Sequence, residues 1–481
     1  MRELATEKPK VSNTLVNFYA LSNGMNTIAF GVPTLYLTMF MTDYLGISPV
    51  AIGTGMLIAR TIDFIVSIIA GVVIEKAHLK HGKYLSWIRI ATVTCFFGNI
   101  VQMLDTTAFI GSPTVRLLIV MIFYIMFHST MNFFATSRAG IIVKLAGADM
   151  TARVRLTARQ SQIGAAVSII SSAITLPLVQ LIDRITGSPS AGYFVAALIF
   201  SSLFVICNSI FAKLAAPFDP PEDRGAERAR PTIGQMVSSV VTNKQMLLLF
   251  AAFTITGIGN QLVAGITTYF FRVTGNFSKY TYVLTARSIT ALVFSMFTPA
   301  IGKKLGKKNA LVAAWCLNII INVAAWLFAY NSKTGEANIL VMAVIMCLRQ
   351  GTLYLYMVFT ANYWLDCGEY GYYTTGVDNR TMATTVMNWP TKISMALGGS
   401  LSAFALSWIG YNPPDGTPGN MGSFDHMERY MMCIGLIPAI CIAISVVLIV
   451  LFYKLTDEQA AMYAKANVER EEAAKAAKAA Q

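Results

Sequence analysis

The stretch IARTIDFIVSIIAGVVIEKAHLKHGKY, Ile58–Tyr84, sets an arginine and an aspartate inside a long apolar run and closes on a basic loop. Charge is scarce in the rest of the chain. Of 481 residues, 55% are hydrophobic and 13% charged, whereas soluble domains carry about 25% charged residues. Apolar stretches of roughly 20 residues or more recur almost throughout, each long enough to cross a ~30 Å hydrocarbon core. These features indicate an all-α, polytopic membrane protein and exclude a string of soluble domains.

Twelve spans are expected, near 14–41, 49–75, 84–104, 114–144, 157–182, 191–215, 245–271, 279–302, 309–330, 337–364, 383–410 and 428–453. The proline- and charge-rich segment AAPFDPPEDRGAERARPTIGQ (Ala215–Gln235) separates them into halves. The expected organisation is a six-helix bundle at 1–214, a linker at 215–244, a second six-helix bundle at 245–455 and a tail at 456–481. Within the linker, Ile233–Val241 has one apolar side and suits a helix lying along the membrane surface. The tail reads as a solvated helix without a site.

Basic residues occupy alternate links: Lys76, Lys80 and Lys83; Arg153 and Arg155; Arg224, Arg228 and Arg230; Lys303, Lys304, Lys307 and Lys308. The opposite links Thr42–Pro49, Asp105–Pro113 and Tyr411–His426 have no lysine or arginine between their flanking helices. A lysine- and arginine-rich side is cytoplasmic, so both termini are expected in the cytoplasm of a cell-membrane protein. The net charge of +13 is accounted for by these links and implies no nucleic-acid partner. No cleavable leader pattern precedes the first span, which is expected to be retained as an anchor.

Six of the seven cysteines (Cys95, Cys207, Cys316, Cys347, Cys433, Cys441) lie in apolar runs, and Cys367 is expected in a loop. They form neither a disulfide framework nor a metal-ligand spacing. Without a phosphate-cradling glycine loop, an HExxH or a nucleophile elbow, the chain is read as neither an enzyme nor an ATP-driven pump.

The halves echo one another. LIARTIDF (Leu57–Phe64) and LTARSITA (Leu284–Ala291) share Leu, Ala, Arg and Ile at the same offsets, and basic loops containing Gly82–Lys83 and Gly306–Lys307 follow them. Such parallel repeats are a device of transporter folds. Asp63, however, has Thr290 as its counterpart.

An ionisable group at bilayer depth costs about 2.5–3.5 kcal/mol, so it ordinarily faces a cavity or a partner. The intramembrane candidates are Arg60, Asp63, His128, Arg138, Arg159, Arg287, Arg349 and Lys392. Arg138 and Arg159 are expected to snorkel to the headgroups. Asp63 is followed at four-residue steps by Ser67 and Gly71, a stripe that suits a small-cation or proton site. The alternative is a purely structural ion pair with a basic partner such as Lys392. Pro390 is expected to disturb the backbone ladder beside Lys392, and Gly398 and Gly399 to admit a neighbouring helix. Asn23, Asn26, Asn132, Asn260, Gln261, Tyr354, Asn388 and Trp389 are candidates to line a polar solute path.

The segments MTDYLGIS (Met41–Ser48), ARTIDFIVSIIAG with HGKY (Ala59–Gly71, His81–Tyr84), DCGEYGYYTTG (Asp366–Gly376), TKISMALGG (Thr391–Gly399) and GYNP (Gly410–Pro413), in this order, resemble the glycoside–pentoside–hexuronide:cation symporters. That family is the melibiose-permease branch of the major facilitator superfamily. The resemblance implies twelve helices in two six-helix bundles, alternating access, and symport of a sugar, glycoside or hexuronide. The coupling ion would be a proton or sodium, with no further cofactor, and the protein a monomer.

By the same resemblance, Asp63, Ser67, Ser129 and Lys392 fall at cation-coupling positions. Thr27, Asn132 and Asn260 fall toward the solute; read from their polarity within the spans, Asn26, Arg159, Tyr354, Trp389 and Lys392 are further candidates there, and Arg60, Arg287, Gly82, Lys83, Asp366 and Glu369 are candidate gating or structural residues. Two departures stand out. Ser67 replaces a second acid and Val66 an asparagine, which leaves a sodium ion few oxygen ligands and opens proton coupling, or none, as alternatives. Thr27 and Asn132 replace sugar-gripping aspartates, which shifts the expectation toward an anionic solute such as a glucuronide. A lipid or lysolipid carrier of the same fold and a non-transporting receptor or scaffold are the competing readings.

Overall fold

The computed structural model describes residues 11–77, 79–146, 150–188, 190–220, 233–331, 336–357, 359–376, 383, 386–414 and 420–479. The chain divides into two compact units, Met1–Glu227 and Arg228–Gln481. The first holds α1 (Asn13–Asp43), α2 (Pro49–Lys76), α3 (Leu85–Gln102), α4 (Pro113–Ala146), α5 (Met150–Thr186) and α6 (Ala191–Ala215). The second opens with α7 (Ile233–Thr242), α8 (Lys244–Val273), α9 (Phe277–Leu305) and α10 (Lys307–Phe328). It continues with α11 (Ile339–Met357), α12 (Thr360–Thr375), α13 (Trp389–Ile409), α14 (Met427–Met431), a π turn at Met432–Leu436, α15 (Ile437–Phe452) and α16 (Asp457–Ala479). Two small antiparallel ribbons, Tyr330–Asn331 with Glu336–Ala337 and Tyr411–Asn412 with Ser423–Phe424, join helices of the second unit.

Among the described residues, 9 helical segments are long and apolar enough to span a membrane. α1, α3 and α9 are long as well, at 31, 18 and 29 residues; their asparagines, serines and basic residues lower their hydropathy. The inside-out character of the fold is plainest in α2. Its outward stripe is Ile58, Ile62, Ile65, Ile69 and Val72, while Ala59, Asp63, Ala70 and Ile74 are buried. Large apolar groups outside and a carboxylate within is the arrangement a lipid solvent favours.

The two units are assembled by one pattern. In the first, α3 packs on α4, α1 on α5 and α6, α2 on α4, and α3 on α6. In the second, the corresponding pairs are α10 on α11, α8 on α13 and α15, α9 on α11, and α10 on α15. The repeated arginine has the same job in both: Arg60 donates from α2 to His128 on α4 at 3.2 Å, and Arg287 donates from α9 to Gln350 on α11 at 2.8 Å.

The repeated Gly-Lys loops are also built alike. Gly82 has φ +93° and Gly306 φ +76°, the left-handed region that glycine enters without strain. In each unit an aspartate just beyond the last helix of the repeat closes the loop. Asp219 Oδ2 accepts from Tyr84 N–H at 2.7 Å and Leu85 N–H at 2.8 Å, capping α3. Asp457 Oδ2 accepts from Lys307 N–H at 3.0 Å, at the start of α10.

α8 and α13 meet along a seam of small residues at four-residue steps. A side chain at Gly257 would collide with Ser394, one at Gly265 with Ser402, and one at Gly398 would lie 2.6 Å from Gln261 Cβ and 2.8 Å from Ile258 O. Ser394 Oγ completes the contact by donating to Thr254 O at 2.9 Å. Without a hydrophobic drive between helices in lipid, such close approach is what holds them. Gly398→Leu is therefore expected to separate the two helices and lower thermal stability by about 3 kcal/mol or more. Gly399→Ala, with open space at its Cβ, is expected to be near neutral in the same detergent melts.

Several expectations need correction. Gly399 makes no close approach. Pro390 lies in the first turn of α13, where a missing N–H breaks no bond, so the ladder at Lys392 is intact: Lys392 N–H reaches Asn388 O at 3.1 Å. Cys367 is not in a loop; it is buried within α12 beside Tyr453, because Tyr363, Trp364 and Cys367 share the core-facing side of that helix. The tail is not simply solvated. α16 packs on α12, with Tyr463 against Tyr370 and Tyr373, buried Asn467 on Glu369, and Arg470 donating to Tyr372 O. α7 forms, and Val240 enters the core of the second unit; Arg224, Arg228 and Arg230 lie outside the described residues.

Candidate functional site

In the first unit α2 presents Asp63 to α4, and α4 answers with a stripe. Tyr124, His128 and Asn132 follow at four-residue steps and so share one helix face. Asp63 is 1% exposed. Its Oδ1 accepts from Asn132 Nδ2 at 2.7 Å, and Arg60 Nη1 stands 3.9 Å from its Oδ2. The same guanidinium lies over the Tyr124 ring, 5.0 Å from its centroid, and donates to His128 Nδ1. Because a guanidinium only donates, Nδ1 is an acceptor and the imidazole is neutral in this arrangement. His128 is held by Tyr124, Phe30 and Phe127, with ring centroids at 4.2, 5.1 and 5.3 Å.

This cluster can keep a carboxylate charged without water, since cation and amide donors supply what solvation would. Asn132, expected toward the solute, is bonded to Asp63. Arg60, expected to be architectural or gating, belongs to the cluster. Tyr124 was not singled out from the sequence, although its spacing from His128 and Asn132 marks it.

The cation-site serines do not join it. Ser67 Oγ donates to Phe64 O at 2.7 Å within its own helix, the usual outlet for a helical serine. Ser129 Oγ is buried without a hydrogen-bond partner among the described residues. Arg138 corrects the snorkelling expectation. It is 5% exposed and turned inward, donating to Tyr19 O at 2.6 Å and Ser22 Oγ at 2.7 Å, over the Tyr19 ring. Tyr19, a full helix away in sequence, supplies what headgroups would. Arg159 is exposed and bridges α5 to Asn17 on α1 at 2.9 Å. Asn26 is half-buried and Thr27 exposed on α1.

In the second unit Asn260 and Tyr354 are half-buried on α8 and α11, while Trp389 packs against the core at the head of α13. Lys392, half-buried, follows within that first turn.

A family model described as MFS/sugar transport protein matches residues 22–457. The chain belongs to that family. Three similar proteins are informative. The isoprimeverose transporter of Lactiplantibacillus pentosus is 25% identical over 401 residues, 82% of this chain and 80% of that one. A glucuronide carrier protein homolog of Escherichia coli K12 is 22% identical over 447 residues, 92% of each chain. A putative sulfoquinovose importer of Salmonella typhimurium LT2 is 24% identical over 408 residues, 82% of this chain and 81% of that one. Among solved structures, the nucleoside transporter NupG matches with a TM-score of 0.58 at 15% identity, covering 91% of this chain and 98% of its own. The peptide transporter POT with sulfate matches with a TM-score of 0.63 at 10% identity, covering 92% and 96%. The fold is thus the all-α major facilitator fold, and the protein is a multi-pass membrane transporter, not an enzyme.

Within this MFS sugar-transport family member, the expected gating residues Asp366, Glu369 and Lys83 are held in their own units by an ion pair, a hydrogen bond and a cation–π contact. Lys307 Nζ pairs with Asp366 on α12 and lies 3.5 Å from Asp457 Oδ1 at the head of α16. Glu369 Oε2 accepts from Asn467 Nδ2 at 2.7 Å. Lys83 follows Gly82 in the loop that Asp219 closes, half-buried over the Tyr84 ring at 5.7 Å. These groups tie loop, helix and tail together in the second unit, and loop to helix in the first.

Proposed function

We propose that the protein is a proton-coupled symporter that moves a sugar-like solute bearing an acidic group, by alternating access of its N- and C-terminal halves. The cell membrane is its site, both termini lie in the cytoplasm, and it works as a monomer. The observation that carries this reading is the buried carboxylate of Asp63, bonded to Asn132 and set beside Arg60. A charge so placed costs insertion energy and is retained where it titrates or binds. The proton is favoured over sodium on the ligand set. Asn132 turns an N–H toward the carboxylate, Ser67 spends its hydroxyl on Phe64, and a guanidinium at 3.9 Å already occupies the place of a counter-cation.

An acidic solute is supported by Thr27 at an expected acid position and by the arginines the spans retain. The relatives named for a glucuronide and for sulfoquinovose support it further. A neutral glycoside is the second reading, favoured by the isoprimeverose relative. Uptake of a labelled glucuronide into proteoliposomes tests the coupling: an inward proton gradient is expected to drive accumulation and a sodium gradient to have no effect. Accumulation driven by sodium alone would overturn the proton assignment.

A further inference from the structure

The Arg60 nitrogen that stands nearest the acid is turned to an imidazole instead. Nη1 lies 3.9 Å from Asp63 Oδ2, beyond hydrogen-bond range, and 3.2 Å from His128 Nδ1, to which it donates. Nothing in α2 itself imposes that choice. An arginine and an aspartate three residues apart on a helix are neighbours that ordinarily meet, and guanidinium against carboxylate makes the stronger, charge-assisted bond. What holds the guanidinium away comes from α4. His128 is 5% exposed, and Phe30 and Phe127 set their rings nearly perpendicular to its own. The Tyr124 ring lies against the guanidinium, and Asn132 occupies the other carboxylate oxygen.

We propose that His128 is a positioning residue for coupling: its Nδ1 keeps Arg60 from closing on Asp63, so that Oδ2 stays open to a proton. This rests on the reading of Asp63 as the proton-carrying group. The imidazole can do so only while neutral with Nδ1 bare, since a protonated ring has no acceptor. Without that acceptor Arg60 closes on Oδ2, the charged carboxylate is favoured, and the acid takes its proton only at a higher proton concentration. The titratable groups facing Asp63 and Arg60 from α4 are Tyr124 and His128, and α1 brings the apolar Phe30. Other charges of the packed helices are engaged elsewhere. Asp43 is the last residue of α1; on α3, Arg89 donates to Ala212 O and the Cys95 thiol to Phe127 O. On α4, Arg116 donates to Leu45 O and Arg138 to Tyr19 O, while Lys144 lies in the last turn. On α5, Arg159 bonds Asn17, and Asp183 accepts from Gly192 N–H.

The test follows the acid itself, by infrared difference titration of the full chain in proteoliposomes, with the proton as the only probe. The protonated-carboxyl band that Asp63→Asn removes belongs to this residue. In His128→Phe and His128→Leu, half-protonation is expected to need about tenfold more protons than in the wild type, a shift of about one pH unit toward acid. His128→Gln keeps a side-chain acceptor and should return the titration most of the way. In an Arg60→Gln background His128→Phe should produce no further shift, which a residue that merely fills space would not show. An unchanged or alkaline-shifted titration in both apolar variants overturns the proposal and leaves the coupling reading standing. So does a shift that persists without Arg60. Loss of cooperative melting in both apolar variants also overturns it, because an arginine free to close on the acid would keep the helices paired. A wild type with no titrating band that Asp63→Asn removes overturns the proton reading and the proposal together.

Discussion

Asp63→Asn is expected to abolish concentrative uptake while leaving exchange of solute across the membrane. The substitution preserves shape and can keep a contact with Asn132, but it holds no proton to release and leaves the Arg60 guanidinium uncompensated. Alternating access without a titrating group equilibrates solute and does not accumulate it. Net accumulation under an inward proton gradient should fall to the level of protein-free vesicles, and counterflow of labelled against unlabelled solute should persist. Loss of counterflow as well would make Asp63 a structural ion-pair partner, since breaking a buried pair leaves an uncompensated charge and costs about 3–5 kcal/mol. Asn132→Ala removes the neutral donor and is the informative companion: proton-driven uptake should survive at a reduced rate, since Arg60 still stands beside the acid.

Asp219→Ala should destabilise the first unit more than any surface change. This carboxylate is 1% exposed and accepts two backbone N–H groups that α3 leaves unpaired. Hydrogen bonds to a charged group are worth about 1.5–3 kcal/mol each, and the vacated donors stay buried. A loss of about 3 kcal/mol in detergent unfolding is expected. Asp219→Asn should lose less than half of that, since an amide oxygen still caps a helix. Gly82→Ala probes the other side of the same joint, because its Cβ would meet the Asp219 carbonyl. If Asp219→Ala melts like the wild type, the loop is held by something other than this cap.

How much of this was legible in the sequence depends on how far apart the interacting residues are. The all-α membrane character and the repeated arginine and Gly-Lys segments could be read because apolar length and local spacing are short-range properties. Asp63 stood out because a carboxylate in an apolar run is anomalous by itself. Its surroundings did not, since Asn132 and His128 are 69 and 68 positions from their α2 partners and only helix packing brings them together. Resemblance placed Asn132 with the solute; the hydrogen bond places it on the acid. Arg138 was read as a snorkelling residue from its nearness to a helix end, a one-dimensional criterion blind to Tyr19. The caps Asp219 and Asp457 went unremarked because their partners are 135 and 150 positions away. The tyrosines of α12 that receive α16 looked like loop residues for want of a visible partner. Pro390 misled for a local reason: its effect depends on whether it begins a helix or interrupts one.

The coupling role of the buried acid is tested most directly by following external pH when solute is added to lightly buffered, de-energised proteoliposomes. With the wild type, a glucuronide pulse should alkalinise the medium as protons enter with the solute, and in Asp63→Asn vesicles the same pulse should leave the pH flat. Equal alkalinisation by the variant would contradict the assignment of Asp63 as the proton-carrying group.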